Sequence, residues 1–333
     1  SHYANENWCM IGYHATSVIA DAMAKNVGDF NHERALQASV NTANVRYFDG
    51  LGDYIDYEYV PDDKSHSSVS KTLEYAYNDW CIAQMAIQIG DDSIAEEFMK
   101  RSEYYNNVFD ASTGYMRPRL SNRDFREDFD PMDTHGQGFI EGNAWNYGLY
   151  VPQNIDKMVD LMGGKESFTQ HLDSLFTMEI DEKYIEKHED ITRDGIIGNY
   201  VHGNEPGHHI PYLYNWTGHP EKTQERVRMI IQTMYDPTVE GLCGNDDAGQ
   251  MSAWYILSAL GFYSVTPGAS DYAIGSPMVK DALITFPNGK TTKIVARNQS
   301  TENIYVSSVT VNGENVENNT LTHKELTDRK SVV

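Results

Sequence analysis

The chain has few cysteines, few basic residues and no long apolar run, and each shortage excludes a class of protein. Its three cysteines, Cys9, Cys81 and Cys243, lie far apart and form no CxxC or zinc-ligand spacing. No apolar run reaches the length that spans a bilayer. Lys and Arg number 26 against 49 Asp and Glu, and the formal net charge of −23 makes nucleic acid and anionic membranes unexpected partners.

Apolar and aromatic side chains are plentiful. The 333 residues are 40% hydrophobic, which is enough for one large domain or two ordinary ones. Tyrosine alone contributes 22 residues, and its flat apolar ring with a polar edge suits contact with sugar rings. The same ring also packs helical cores, so the aromatic content by itself predicts no ligand.

The first two-thirds of the chain has the apolar period of helices with one buried face. The predicted helices are residues 13–25, 33–45, 69–89, 94–108, 165–177, 223–235 and 250–260. Gly90 and Gly261 stand where two of them should end, and Asp91 and Asp92 stand where one should begin. Serial helices joined by loops favour an α/α toroid or a helical bundle.

The character of the sequence changes after Gly261. Residues 282–286, 292–296 and 304–311 are β-rich runs, and Pro-Asn-Gly and Asn-Gly turn signals lie around them. The chain is therefore predicted to be mainly α, with a short β-segment at its C-terminal end.

Acidic residues that could take part in catalysis or bind a metal ion occur in three motifs at loop-to-helix junctions. The first is EGNAW, in which Glu141 stands four residues before Trp145. A carboxyl group against apolar rings tends to have a raised pKa and can donate a proton at neutral pH. A Glu that only stabilises a helix N-terminus would have the same spacing.

The second motif is GNEPGHH. Asn204 and Glu205 offer hard oxygen ligands of the kind that calcium prefers. His208 and His209 are adjacent, so on a helix their side chains would point about 100° apart and could not easily share one metal ion. One of them could hydrogen-bond a sugar hydroxyl, or both could simply pack.

The third motif, GNDDAGQ, places Asp246 and Asp247 between glycines just before an apolar helix. The pair could cap that helix, or it could hold a water molecule against a cation and a sugar. The spacing is not that of an EF-hand, so a calcium site would need ligands from distant segments. Glycosidases place an acid and a base on either side of the scissile bond, and the three motifs together could supply both.

Taken in order, these motifs resemble glycoside hydrolase family 92. The resembling runs are VSKTLEYAYNDWCIAQMA at 69–86, EGNAW at 141–145, GNEP at 203–206, NDDAGQMSAWY at 245–255 and ALGFYSVTPG at 259–268. The resemblance implies an inverting, Ca²⁺-dependent exo-α-mannosidase that releases terminal mannose from glycans such as N-glycans, with α-1,2 linkages as the expected substrate. It also implies an (α/α)₆ barrel preceded by a β-sandwich.

Residue roles follow from the same resemblance. Glu141 would be the general acid, with Glu205 in reserve, and Asp246 or Asp247 would be the general base. The implied calcium ligands are Asn204, Glu205 and Asp247, and the implied substrate contacts are Trp145, His208, His209 and Gln250. Inversion needs room for a water molecule, so the carboxyl oxygens of the acid and the base are expected roughly 6.5–9.5 Å apart.

Compared with this family, the chain is expected to be the C-terminal catalytic portion of a longer enzyme. Residues 1–265 are predicted to form an incomplete (α/α)₆ barrel, and residues 266–327 a β-rich segment belonging to the sandwich or the barrel cap. Residues 328–333 depart from the family, and we hypothesise that they are a non-native tail. A chain truncated in this way could be inactive alone.

Two alternatives stay open at this point. The chain could be a non-catalytic or inactive mannose-binding fragment, or it could belong to another (α/α)-toroid glycoside hydrolase acting on glucosides or trehalose. We expect the full-length enzyme to be a monomer without a membrane span. We expect it in the periplasm, at the cell surface or secreted, because such enzymes act on glycans outside the cytoplasm.

Overall fold

The computed structural model describes residues 10–185 and 192–328, together with the backbone of Lys330–Val332. These residues divide into two compact units. The first is the described part of Ser1–Asn154 with Pro267–Ala269, and the second is the described part of Ile155–Thr266 with Ser270–Val333. The domain limits predicted from sequence character, 1–265, 266–327 and 328–333, stay a prediction. Of the hypothetical tail, residues 329 and 333 and the side chains of 330–332 lie outside the described residues.

The first unit is built around one long helix. Its helices are α1 (Ala15–Ala24), α2 (His32–Thr42), α3 (Leu51–Tyr57), α4 (Ser68–Ile89) and α5 (Asp92–Arg101), followed by a short hairpin of β1 (Phe109–Asp110) and β2 (Tyr115–Met116). Helix α4 has 22 residues, most of them buried, and α1, α2 and α5 pack against it. Tyr54, Tyr75, Ile82 and Phe98 are among the buried residues of this core.

Helix α4 also buries ionisable residues, and each has a partner within the unit. Lys71 Nζ lies 2.7 Å from Asp49 Oδ1. Arg101 Nε donates to Asp79 Oδ2 at 2.9 Å. Burial raises the pKa of Asp79 to about 6, while the Arg101 guanidinium favours the carboxylate, so Asp79 is ionised at neutral pH. The third such residue, Glu74, accepts a hydrogen bond from Tyr147 Oη, two residues beyond the EGNAW motif.

The second unit combines short helices with two small sheets. Its helices are α6 (Ile155–Leu161), α7 (Lys165–Thr177), α8 (Tyr214–Thr217), α9 (Pro220–Thr233), α10 (Gln250–Leu260) and α11 (His323–Thr327). Its strands are β3 (Ile196–Ile197), β4 (Tyr200–Val201), β5 (Phe262–Tyr263), β6 (Asp271–Ile274), β7 (Asp281–Thr285), β8 (Thr291–Val295), β9 (Thr310–Val311), β10 (Glu314–Asn315), β11 (Thr320–Thr322) and β12 (Lys330–Val332).

Strand pairing places these β-elements in a hairpin and two sheets. Strands β3 and β4 form the hairpin. One sheet has the order β11-β6-β5 and is antiparallel, with Phe262 opposite Ile274. The other has the order β10-β9-β12-β8-β7, in which β12 runs parallel to β8. Tyr272, Ile294 and Leu326 belong to the apolar core of this region.

The mainly helical prediction is confirmed, and most predicted helices differ from the observed ones by only a few residues. Gly90 and Gly261 end α4 and α10 with φ of 88° and 99°, a conformation that glycine adopts readily. The Asp91 side chain caps α5 by accepting from Ile94 N at 3.1 Å. The sequence pattern missed the short helices α3, α6, α8 and α11.

The β-segment was predicted only in part. Strands β7 and β8 confirm the runs at 282–286 and 292–296. Of the described residues 304–311, only Thr310–Val311 pair in a ladder, so the third predicted strand was wrong over most of its length. None of the described helices is both long and apolar enough to cross a membrane.

Candidate active site

The EGNAW turn is held in shape by two asparagine side chains. Asn143 Oδ1 accepts from the backbone N–H of Trp145 at 3.0 Å and of Asn146 at 3.2 Å. Asn146 Oδ1 accepts in return from Asn143 N at 2.9 Å. A Cβ on Gly142 would lie 2.8 Å from this Asn146 oxygen, so the turn needs glycine there. Glu141 comes just before it, half-buried, with a left-handed φ of 53°.

The same turn rests on the first turns of α4. The carbonyl of Gly138 accepts from Val69 N at 2.8 Å and Ser70 N at 3.1 Å, and Ile140 N donates to Ser70 Oγ at 3.2 Å. These bonds satisfy amide groups that a helix N-terminus leaves without intrahelical partners. The start of α4 thereby fixes the backbone that leads into Glu141.

A buried polar chain continues this contact further along α4. Tyr147 Oη donates to Glu74 Oε1, and His14 Nε2 lies 2.6 Å from Glu74 Oε2. Asn78 Nδ2 lies 2.9 Å from His14 Nδ1, and we assign Asn78 as the donor because its Oδ1 already accepts from Tyr13 N. Burial lowers the pKa of His14 and the Glu74 carboxylate raises it, with a net rise.

Trp145 has an aromatic neighbour. Its ring centroid lies 5.4 Å from that of Tyr115, which in turn lies 6.5 Å from Phe129. The Arg117 guanidinium stands 5.3 Å from the Phe129 ring centroid. Trp145 is half-buried, so part of its indole reaches the surface, but its predicted substrate contact stays a prediction.

In the second unit, the GNEP and GNDD turns meet backbone to backbone. A Cβ on Gly244 would lie only 2.3 Å from the Gly203 carbonyl oxygen, and one on Gly203 would lie 2.8 Å from the Cys243 carbonyl oxygen. Only glycine permits this approach. Because Asn204 and Asn245 follow these glycines directly, two acidic motifs that lie 41 positions apart in the chain become neighbours.

The two aspartates of the GNDD turn have different surroundings. Asp246 Oδ1 accepts from Ser252 N and Ser252 Oγ, both at 2.9 Å, and Asp246 is half-buried. Asp247 is exposed, and it begins three successive left-handed residues with φ of 42°, 58° and 99°. A left-handed conformation is unfavourable for Asp247 and Ala248, which carry a Cβ, and such strain is common at functional sites.

His208 is buried, and both of its ring nitrogens have partners within the unit. Its Nε2 lies 3.0 Å from the His202 carbonyl oxygen, and its Nδ1 lies 3.2 Å from Gln250 Nε2. Burial lowers the pKa of His208 to about 4, so we assign the neutral ring with the proton on Nε2. His208 therefore orients Gln250, whose Nε2 also lies 3.1 Å from Tyr263 Oη. The predicted substrate contacts of His208, His209 and Gln250 stay predictions.

The sequence pattern missed His202, a histidine that immediately precedes the GNEP motif in the chain. His202 is fully buried, and its nitrogens lie 2.7 Å from Tyr200 Oη and 2.7 Å from Tyr235 Oη. Its ring stacks on His208 at 4.8 Å between centroids and meets Trp254 edge-on at 4.4 Å. Burial, followed by His208, holds the pKa of His202 well below its usual range. His202 is therefore a neutral, buried aromatic residue two positions before Asn204 in the chain.

The side-chain atoms that could coordinate a metal ion at the joined turns suit a hard cation. Asn204, Glu205 and Asp247 offer only oxygen atoms, and the nearby nitrogen donors of His208 already have partners. Among the described residues, no three His, Cys, Asp or Glu side chains converge as a metal-binding group. A calcium site built from this part of the chain would therefore draw on amide and backbone oxygens besides its carboxylates.

Comparison with known proteins identifies the family. Residues 1–333 match the catalytic domain of glycosyl hydrolase family 92 along their whole length. The chain belongs to glycosyl hydrolase family 92. The predicted family and glycoside hydrolase class are therefore confirmed.

Several relatives of this family 92 chain have been described. A family GH92 α-mannosidase from Bacteroides thetaiotaomicron, solved in complex with mannoimidazole, is 41% identical over 99% of this chain and 44% of its own, with a TM-score of 0.93. An inverting family GH92 mannosidase from Bacteroides thetaiotaomicron VPI-5482 is 33% identical over 99% of this chain and 46% of its own, with a TM-score of 0.88. An uncharacterized secreted glycosidase from Arthroderma benhamiae is 27% identical over 94% of this chain and 43% of its own.

These likenesses confirm the predicted fold class, since the family 92 structures that match have an (α/α)₆ catalytic domain. The chain spans less than half the length of the relatives it matches. The roles assigned to individual residues, and the separation expected between acid and base, stay predictions.

Proposed function

We propose that the protein containing this family 92 chain is an inverting, Ca²⁺-dependent exo-α-mannosidase that releases terminal mannose from glycans, with a preference for α-1,2 linkages. The observation that carries the proposal is the glycine contact between Gly203 and Gly244, which joins the turns bearing Asn204, Glu205 and the two aspartates. The mannosidases among the relatives support the sugar, and the one named as inverting supports the stereochemistry.

In this proposal Glu141 protonates the departing glycosidic oxygen as its bond to C1 breaks. An aspartate takes a proton from the water whose oxygen bonds to C1 from the opposite face, so that mannose leaves with inverted configuration. We assign the base to Asp247. Asp246 Oδ1 already accepts two hydrogen bonds from Ser252, so that oxygen is engaged within the turn and is not available to a water molecule.

The remaining residues of the joined turns would bind and orient. Asn204 and Glu205 would hold the calcium ion, with Asp247 sharing in its coordination, and Gln250 would face the sugar in the orientation set by His208. A bound Ca²⁺ supplies Lewis-acid polarisation of sugar hydroxyl groups and stabilises developing charge. The left-handed backbone at Asp247 and Ala248 would contribute to the orientation of the base.

We also propose that the enzyme works outside the cytoplasm, in the periplasm, at the cell surface or secreted. The fungal relative named as a secreted glycosidase supports this location. A monomeric full-length enzyme is part of the same proposal.

The first test is mannose release by the full-length protein with and without EDTA. We expect α-1,2-mannobiose to be cleaved, activity to disappear with EDTA, and added Ca²⁺ to restore it. Proton NMR during the first turnovers should show β-mannose before mutarotation, because inversion of an α-linkage gives the β-anomer. Initial α-mannose would contradict inversion, and chelator-insensitive release of glucose would favour another toroid hydrolase.

A second test concerns the base. Asp247→Ala should remove turnover of a dinitrophenyl α-mannoside, and added azide should restore it by forming β-mannosyl azide in place of mannose. The matched variant Asp246→Ala lacks the turn's hydrogen bonds to Ser252 and should not be rescued in this way. Rescue of Asp246→Ala alone would exchange the two assignments.

A further inference from the structure

The EGNAW turn depends on contacts outside its own sequence. Glu141 has a left-handed φ of 53° although it carries a side chain, and such a conformation persists only when its surroundings impose it. The bonds of Gly138 and Ile140 to Val69 and Ser70 fix the backbone before Glu141. A separate contact must fix the backbone after it.

That contact is made through a tyrosine hydroxyl. Tyr147 N donates to Asn146 Oδ1 at 2.6 Å and to the Asn143 carbonyl at 3.0 Å, so Tyr147 is tied directly to the paired asparagines of the turn. Tyr147 is 4% exposed, and its Oη donates to Glu74 Oε1. The position of the turn therefore follows the position of the Glu74 carboxylate.

Glu74 is itself held from the other side. Its side chain is 5% exposed, and the His14 ring, which stands immediately before α1, approaches Oε2 to 2.6 Å. Asn78, one turn further along α4, faces the second nitrogen of the His14 ring. One carboxylate oxygen of Glu74 thus accepts a hydrogen bond from Tyr147, and the other lies at ion-pair distance from His14.

We propose that Glu74, held by His14, is a positioning residue for Glu141, acting through the Tyr147 hydroxyl. This inference rests on the proposed function, in which Glu141 is the general acid. An acid that is displaced by a fraction of an ångström still binds beside the sugar but protonates the leaving oxygen poorly. The role therefore concerns proton transfer more than substrate affinity.

Rates on two substrates with different leaving groups distinguish a loss of positioning from a general destabilisation of the protein. Methyl α-mannoside needs a proton on its departing oxygen, whereas a dinitrophenyl α-mannoside departs without one. In the full-length enzyme, Glu74→Leu should lower kcat for the methyl substrate about 10- to 100-fold, with KM and the dinitrophenyl substrate little changed. Tyr147→Phe should act in the same direction. Glu74→Gln, which keeps an acceptor for Tyr147, should recover most of the lost rate.

Tyr105→Phe is the matched control. Tyr105 is fully buried in the same unit, and its hydroxyl makes none of the bonds to the EGNAW turn described above. Its loss should leave the ratio of the two rates unchanged. Equal losses on both substrates in Glu74→Leu, or none on either, would overturn the positioning role.

Amide hydrogen exchange tests the inference without any turnover. The peptide covering residues 138–147 should exchange faster in Glu74→Leu and Tyr147→Phe than in the parent protein or Tyr105→Phe. Unchanged exchange there would overturn the inference even in an active enzyme. If the two variants exchange faster but the parent protein releases no mannose, the proposed function is refuted and the structural link between Glu74 and the turn still holds.

Discussion

The first unit supports its acidic turn mainly through side-chain hydrogen bonds, whereas the second joins its two acidic turns through a close contact of glycine backbones. Around Glu141 the contacts are amide, hydroxyl and carboxylate groups that end on Glu74 and His14. Around Asp247 the main contact is the close approach of the Gly203 and Gly244 backbones. The first arrangement can be weakened by degrees, because each hydrogen bond can be removed singly. The second tolerates no added atom at its centre.

The largest expected effect tests whether Glu141, whose turn these contacts of the first unit support, is the general acid. Glu141→Gln should lower kcat on methyl α-mannoside about 10²- to 10⁴-fold, because the amide cannot donate the catalytic proton. Steady-state rates on methyl and dinitrophenyl α-mannosides measure it. The dinitrophenyl rate should fall far less. If Glu205→Gln showed this selectivity and Glu141→Gln did not, the reserve assignment of the acid would replace the first.

The next effect tests the backbone contact of the second unit. Gly244→Ala would push a methyl group into the Gly203 carbonyl and should destabilise the fold by about 3 kcal/mol, the upper end of ordinary single substitutions. Urea unfolding measures this change. Gly148→Ala is the matched control in the first unit, where the nearest atom to an added Cβ is 3.7 Å away. Similar stabilities for the two variants would remove the contrast between the units.

Acid should weaken the second unit through its neutral histidine. The unfolded chain protonates His208 below about pH 6.5, whereas the folded chain does so only near pH 4, so stability is lost as the pH falls between these values. The difference corresponds to about 3 kcal/mol. The free energy of unfolding, measured with urea between pH 4 and pH 7 and plotted against pH, should show a shallower slope in His208→Gln than in the parent protein. An unaltered slope in His208→Gln would contradict the buried neutral ring.

The smallest effect concerns the outer end of the chain of contacts in the first unit. His14→Asn should cost no more than about 1 kcal/mol in urea unfolding, because the His14 side chain is 39% exposed and water screens its attraction to Glu74. Amide exchange of residues 138–147 should nevertheless rise slightly. His219→Asn, which loses an exposed contact with Glu221, should leave that peptide unchanged. A loss above 3 kcal/mol would mean that His14 supports the core and does more than hold Glu74.

The long helices were predictable because their apolar period survives in the sequence, as at α4 and α10. The short helices α3 and α8 bury too few turns to show a period. Residues 304–309 are rich in β-forming side chains, yet a strand also needs a neighbour, which local sequence does not specify.

The acidic turns were predictable as motifs, because glycine, asparagine and acids stand together in them. Their supports were not, since Glu74 meets Tyr147 across 73 positions of sequence and Gly203 meets Gly244 across 41. One signal was available. Lys71, Glu74 and Asp79 are the charged residues of a helix that is otherwise uncharged and mostly buried, and such groups are rarely buried without a partner.

Because of the glycine contact, the GNEP and GNDD turns must remain compatible with each other when either one changes. A chimera that exchanges only one of them between family members keeps its fit only if the incoming turn brings a glycine at the matching position. The segment that leads from α9 to this contact includes residues 236–242, several of them exposed, and insertions of varied length could be accepted there. Grafting experiments aimed at new linkage specificity would therefore do best to transplant both turns together and to place all length variation in that segment.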